Sequence, residues 1–214
     1  MMARSVHRMR RIDRALAVGA VACLVVIVLA SCGGSDNPLG NPPVVDNPTG
    51  VTGQKLSFAY FQKCINPIFD AQLPITVGGV TSINSCAGSG CHENTNGTGG
   101  ALRVIRMAAE VDLADAANTP EVIRTTDMYR NYYSALGVVI PSSPAESRLL
   151  TKPQVQGVLH GGGLIFDDPQ DPNVQRMQYW INRPAPPGQD EFSLSVASTM
   201  FTPPDPINGT CNPP

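Results

Sequence analysis

The sequence predicts a small, mainly α domain with long loops, and three observations predict it. Apolar residues recur at helical spacing in separate segments, notably Phe58, Phe61, Ile65 and Ile68. Proline and glycine punctuate the stretches between them, with little of the alternation that marks strands. One short segment, Ser85-Cys86-Ala87-Gly88-Ser89-Gly90-Cys91-His92-Glu93, gathers two cysteines and a histidine where no apolar period runs.

That segment organises the chain. Two thiols can form thioethers with the vinyl groups of a haem, and an imidazole beside the second thiol can ligate its iron. The common spacing is C-x-x-C-H, whereas here four small residues separate Cys86 from Cys91. Because two of the four are glycine, they can bulge outward and leave both thiols in reach. The expectation is therefore a covalent haem c on Cys86 and Cys91 with His92 as proximal ligand. A Cys₂His₂ zinc set of Cys86, Cys91, His92 and His160, or a disulfide-bearing loop, stands as the alternative.

The first 31 residues are set apart from the fold. Arg4, Arg8, Arg10, Arg11 and Arg14 precede an apolar run from Ala15 to Ala30, too short for a comfortable span. Its end, Leu29-Ala30-Ser31-Cys32, resembles a bacterial lipoprotein signal. The resemblance implies cleavage before Cys32 and acylation of that residue, which anchors the chain to a membrane. Gly33, rather than an aspartate, then biases the location to the outer membrane of the cell envelope. Residues 32–53 read as a Pro-, Gly- and Asn-rich tether, 54–190 as the haem domain, and 191–214 as an irregular Pro-rich tail.

Export changes the cysteine count. Cys23 leaves with the signal and Cys32 carries lipid, so Cys64, Cys86, Cys91 and Cys211 remain. An oxidising compartment favours disulfides, and with Cys86 and Cys91 holding haem, Cys64 and Cys211 are left to pair. Removing five arginines and Asp13 from 15 basic and 17 acidic residues leaves 10 and 16, a charge near −6. Such an acidic domain argues against nucleic acid as a partner.

Beyond the first helix, expected over Ser57–Asp70 and kinked or ended by Pro67, Ala71–Ser85 reads as irregular or weakly β. Ala101–Met107 fits either an extended or a helical path. Thr119-Pro120 starts a helix expected to run to Ala135, with Val122, Ile123, Met128, Tyr132 and Tyr133 available for burial. Ser142-Ser143-Pro144 then looks like a capped helix start, and Leu149 and Leu150 its core contacts. Gln156–Phe166 is a glycine-dominated loop, and Asp171-Pro172 opens a last helix over Asn173–Asn182.

The order of several pieces resembles exported bacterial cytochrome c-like domains. They are Ile65-Asn66-Pro67-Ile68-Phe69, Ser89-Gly90-Cys91-His92, Gly99-Gly100-Ala101-Leu102, Ile140-Pro141-Ser142-Ser143-Pro144, Ser147-Arg148-Leu149-Leu150-Thr151-Lys152 and Gln178-Tyr179-Trp180-Ile181. The resemblance implies a helical domain wrapped around one haem and acting as an electron carrier, not an enzyme, among redox partner proteins of the envelope. The family commonly offers a methionine from a glycine-rich loop before the tryptophan helix. Here that loop offers His160-Gly161-Gly162-Gly163, so His160 is expected as the distal iron ligand, with Met177 and Met128 as alternatives. Arg103, Arg106, Arg148 and Lys152 are candidate partners for haem propionates. Two further readings remain: an open-site haem, peroxidase-like or gas-sensing, and a haem-free structural lipoprotein held by disulfides or zinc.

Overall fold

Three aromatic rings, Phe61, Tyr132 and Trp180, meet where the first helix crosses the tryptophan helix, and the rest of the fold is hung on that crossing. The structure is a computed structural model that describes residues 55–213. The expected signal segment 1–31, the expected lipidation position Cys32 and the whole of the expected tether lie outside the described residues. The description below concerns the unit Thr49–Pro214.

Helix α1 runs through three consecutive segments, Phe58–Tyr60, Phe61–Ile65 and Asn66–Asp70. Ser57 caps it, its side chain accepting from the Tyr60 N–H. Pro67 does not end it: the helix continues to Asp70. The middle segment widens into a π-helical turn in which the Asn66 N–H donates to the Phe61 carbonyl. Pro67 then falls in the first positions of the next segment, where its missing N–H is not needed. Phe58, Phe61, Ile65 and Ile68 are all buried, as their spacing predicts.

Helix α1 leads into a two-stranded antiparallel hairpin, β1 Leu73–Val77 and β2 Val80–Asn84, joined through Gly78-Gly79. Leu73 and Ile75 turn inward while all of β2 is exposed. Ala101–Met107 is extended: Val104 pairs in parallel with Glu93 and is fully buried.

The single helix expected over 119–135 is two helices, α2 Pro120–Ile123 and α3 Asp127–Leu136. The break has a local cause. The Thr125 and Thr126 hydroxyls donate back to the Val122 and Ile123 carbonyls, and Thr126 then caps α3 through the Tyr129 N–H. Ile123, Met128 and Tyr132 are buried, but Val122 and Tyr133 stay exposed. Ser143 does not cap a helix either. A 3₁₀ turn at Pro144–Glu146 precedes α4, Arg148–Thr151, and buried Ser147 ties the Ile140–Ser143 loop down with its hydroxyl. Leu149 and Leu150 are buried, in keeping with the sequence.

Helix α5, Pro172–Ile181, is capped by Asp171, which accepts from the Asn173 N–H at 2.7 Å. Trp180 is wholly buried. Its indole N–H donates to the Ser57 carbonyl at 3.0 Å, and its ring lies 5.4 Å from Phe61. Tyr132 completes the cluster, 5.4 Å from Phe61, with its hydroxyl on the Leu56 carbonyl. Buried Asn131 bonds Asn66 and both backbone groups of Ile105, so the extended segment is fixed to α1 and α3 together.

The tail is more ordered than its composition suggests. It contributes a short helix, α6 Leu194–Ser198, and a two-residue ladder of β3 Phe201–Thr202 with β4 Thr210–Cys211. Ala197, Met200 and Phe201 are buried in the same core, so position 190 is no structural boundary. Glu191 is buried against Lys55 and Arg124, each 3.0 Å away. Burial pushes its carboxyl up, yet hydrogen bonds from its own backbone, Lys55 and Arg124 outweigh this and hold it below the ordinary range. Cys211 is bonded to Cys64 of α1, S–S 2.00 Å, across 147 residues of sequence. Among the described residues, no helix is long and apolar enough to cross a membrane.

Candidate haem-binding site

The four-residue gap between the cysteines is stored as a turn. The Cys91 N–H donates to the Gly88 carbonyl at 2.9 Å, and the His92 N–H donates to the Cys86 carbonyl at 2.8 Å. The two bonds return the chain upon itself, so the longer spacing does not carry Cys91 away from Cys86. Ala87, fully buried, anchors the turn to the end of α1 through the Phe69 carbonyl. Both thiols are free and half-buried. Burial, and after it the Cys91 sulfur, pushes the Cys86 thiol up to about 12. A thiol kept protonated is a poor partner for disulfide exchange.

His92 leaves this turn with its imidazole Nδ1 3.1 Å from the Leu102 carbonyl. The Val104 N–H donates to the His92 carbonyl at 2.7 Å, so the extended segment grips both backbone and ring. Burial holds the imidazole below its ordinary pKa against the pull of the Leu102 carbonyl, and His160 adds to the lowering. The lowering favours the neutral ring, the form that ligates a metal. Gly99 makes room for it: a Cβ there would lie 2.3 Å from His92 Nδ1 and 2.7 Å from the Cys91 carbonyl oxygen. Gly99→Ala is expected to turn the ring off Leu102 and to cost about 1–3 kcal/mol. Denaturant unfolding, with haem retention measured on the same samples, checks this.

His160 arrives from the opposite side. Its Nδ1 lies 2.8 Å from the Gly163 carbonyl, closing the loop on itself. Thr76 of β1 and Leu164 exchange two backbone hydrogen bonds of 2.8 and 3.0 Å, so the hairpin holds the loop in place. Gly163 sits at φ +84°, where a Cβ would lie 2.3 Å from the Thr76 carbonyl oxygen; the close approach requires glycine.

The two imidazoles are parallel within 9°, and their ring centres are 6.1 Å apart. Each Nδ1 is on a backbone carbonyl, and among the described residues no hydrogen bond engages either Nε2. Two metal–imidazole bonds of about 2.0–2.1 Å in line, with roughly 1.1 Å from each nitrogen to its ring centre, would separate the centres by roughly 6.3 Å. The observed spacing fits one metal ion between the rings.

Two adjoining hollows, of about 110 and about 380 Å³, share Cys86, His92, Gly99, Lys152, His160 and Ile165 in their walls. The smaller is apolar at its back, where Phe69, Leu149, Phe166 and Met177 lie, and Arg148 and Lys152 supply its only charges. The donor set, the hollows and the thiols in their walls are compatible with a haem that Cys86 and Cys91 would hold. Among the described residues, no group of three His, Cys, Asp or Glu side chains is placed to hold a metal ion.

Of the residues named from sequence, Arg148 and Lys152 line the site, whereas Arg103 is turned to the Gly97 carbonyl and Arg106 lines neither hollow. Met128 is buried in the core and reaches neither hollow; Met177 is buried at the wall of the smaller one. The sequence does not single out the Leu102 and Gly163 carbonyls or Thr76. A backbone acceptor carries no residue-type signal, and only the glycines at 99 and 163 mark where the chain passes close. No protein-family model matches this chain, and neither a curated protein nor a solved structure does.

Proposed function

We propose that this chain is an electron-transfer protein of the cell envelope, in which Cys86 and Cys91 hold one haem c and His92 and His160 are its axial ligands. The parallel imidazoles 6.1 Å apart, each with Nε2 uncommitted, carry this reading. Bound there, haem iron supplies one-electron chemistry by cycling between its ferric and ferrous states.

The remaining work falls to this chain. The Leu102 and Gly163 carbonyls fix each ring's tautomer, with the proton on Nδ1 and the lone pair on Nε2. Filling both faces leaves no open position for a substrate, so the role is carriage rather than catalysis. Two imidazoles favour a lower potential than a histidine–methionine pair would. Arg148 and Lys152 are placed to balance the propionates, and Phe69, Leu149 and Phe166 exclude water. Acylation at Cys32 would tether the domain to a membrane, with the outer membrane favoured and envelope redox proteins as partners.

A visible spectrum of protein matured with a haem c assembly system tests the reading. After acid–acetone extraction, pigment should stay with the protein. Its reduced bands should be sharp, and its oxidised form should lack methionine–iron absorption. An oxidised high-spin spectrum would replace the closed site by an open one. Loss of all pigment would overturn the haem reading and leave a structural lipoprotein.

A further inference from the structure

A further hollow, of about 610 Å³, opens between the extended segment and α3, and none of Cys86, Cys91, His92 or His160 lines it. Arg103 and Ile105 stand on one side, with Tyr129, Tyr133 and Ser134 of α3 on the other. Small-molecule sites ordinarily enclose about 300–1,000 Å³, so the volume is of that class. Arg124 and Arg130 also reach the hollow, and no Asp or Glu lines it among the described residues. The chain after position 31 holds only 10 basic residues against 16 acidic ones, and three of the 10 gather here.

The three cations are not equal. Arg124 lies 3.0 Å from Glu191 and Arg130 lies 3.0 Å from Asp127, so a carboxylate of the chain already neutralises each. Arg103 is half-buried and, among the described residues, forms no ion pair; its guanidinium donates to the Gly97 carbonyl. Glu93, in the turn nearby, is instead engaged by the Thr95 and Asn96 N–H groups. A guanidinium carries five donors in a planar fork, so Arg103 keeps donors for one further planar anion. The wall around it is already set: the Ser134 hydroxyl accepts from the Arg103 N–H, and Asn131 accepts from that of Ile105. Tyr133, expected from its spacing to be buried, is 59 % exposed beside this hollow.

We propose that the hollow binds a small organic monocarboxylate, its carboxylate on the Arg103 fork and a flat apolar body against Ile105 and Tyr133. One unpaired guanidinium matches one negative charge. A phosphate dianion needs a second cation, and Glu191 and Asp127 have taken both candidates. Ala101, Ile105 and the two tyrosine rings give the body an apolar surface that a bare anion does not use.

Benzoate is the probe, titrated into the purified full chain by calorimetry. It should bind at one site per chain. Acetate, which has the charge without the body, and benzyl alcohol, which has the body without the charge, should each bind about tenfold more weakly or less. These three titrations use the unmodified chain and need no variant to fold. Arg103→Gln should weaken benzoate by about tenfold or more, whereas Arg106→Gln, which lines none of the hollows, should leave it unchanged. No saturable benzoate binding, or full binding by Arg103→Gln, would overturn the proposal. So would acetate binding as tightly as benzoate, the result expected if the occupant were an acidic side chain of a partner protein. The cysteines and histidines take no part in these readouts, which therefore stand apart from the haem reading.

Discussion

Replacing His160 by alanine is expected to open one axial face while leaving the covalent attachment at Cys86 and Cys91 intact. The oxidised spectrum should change from low-spin to high-spin, and added imidazole should restore the low-spin form. The loss of one hydrogen bond, Nδ1 to the Gly163 carbonyl, should cost only about 1 kcal/mol of stability, so the folded domain survives the change. His160→Met, which exchanges imidazole for thioether, should raise the potential relative to the unmodified protein. Absorption spectra with and without imidazole, followed by a potentiometric titration of each variant, make the measurement. An unchanged oxidised spectrum in His160→Ala would remove His160 from the iron.

The largest stability effect is expected at the other end of α1. The Cys64–Cys211 disulfide spans 147 residues, and the chain-entropy cost it removes from the unfolded state is about 5 kcal/mol for a loop of that length. Cys64→Ala with Cys211→Ala together should therefore lose about 3–5 kcal/mol, measured by urea unfolding. Either single replacement should lose nearly the same amount, because each removes the same bond. Reduction of the unmodified protein should match the double variant. A loss under about 1 kcal/mol would mean that the β3–β4 ladder and the Tyr60–Asn212 contact hold the tail unaided.

The parts of this domain that sequence exposes are those set by one residue and its near neighbours. The apolar face of α1, the Asp171 cap and the glycine loop carrying His160 are of that kind. The histidine is legible because only two follow residue 31, and one of them directly follows Cys91. The parts it conceals depend on competition between local choices. Thr125 and Thr126 sit between the buried positions Ile123, Met128 and Tyr132, whose spacing reads as one helix, yet their hydroxyls end one helix and cap the next. Pro67 reads as a stop, but one π-helical turn ahead of it removes the conflict. The Glu191 cluster joins Lys55, Arg124 and the tail, residues too far apart in sequence for any pattern to link. Its composition made the tail look irregular, whereas Met200 and Phe201 commit it to the core.

The two histidines are unequally built in. His92 lies between the Cys86–Cys91 turn and the Val104 segment, and Val104 is fully buried against the main core. His160 rides on a loop whose links to the rest of the domain are the Thr76–Leu164 pair and the Ile165 and Phe166 N–H groups on Pro153. Local opening of a protein follows such differences, since a segment with few buried contacts separates at far smaller free energy than the whole fold. Amide hydrogens of Leu164 and Ile165 should therefore exchange with solvent well before that of Val104. On the proposed haem reading, ligand exchange would accordingly be one-sided: small molecules would reach the iron from the His160 side, on the schedule of that loop.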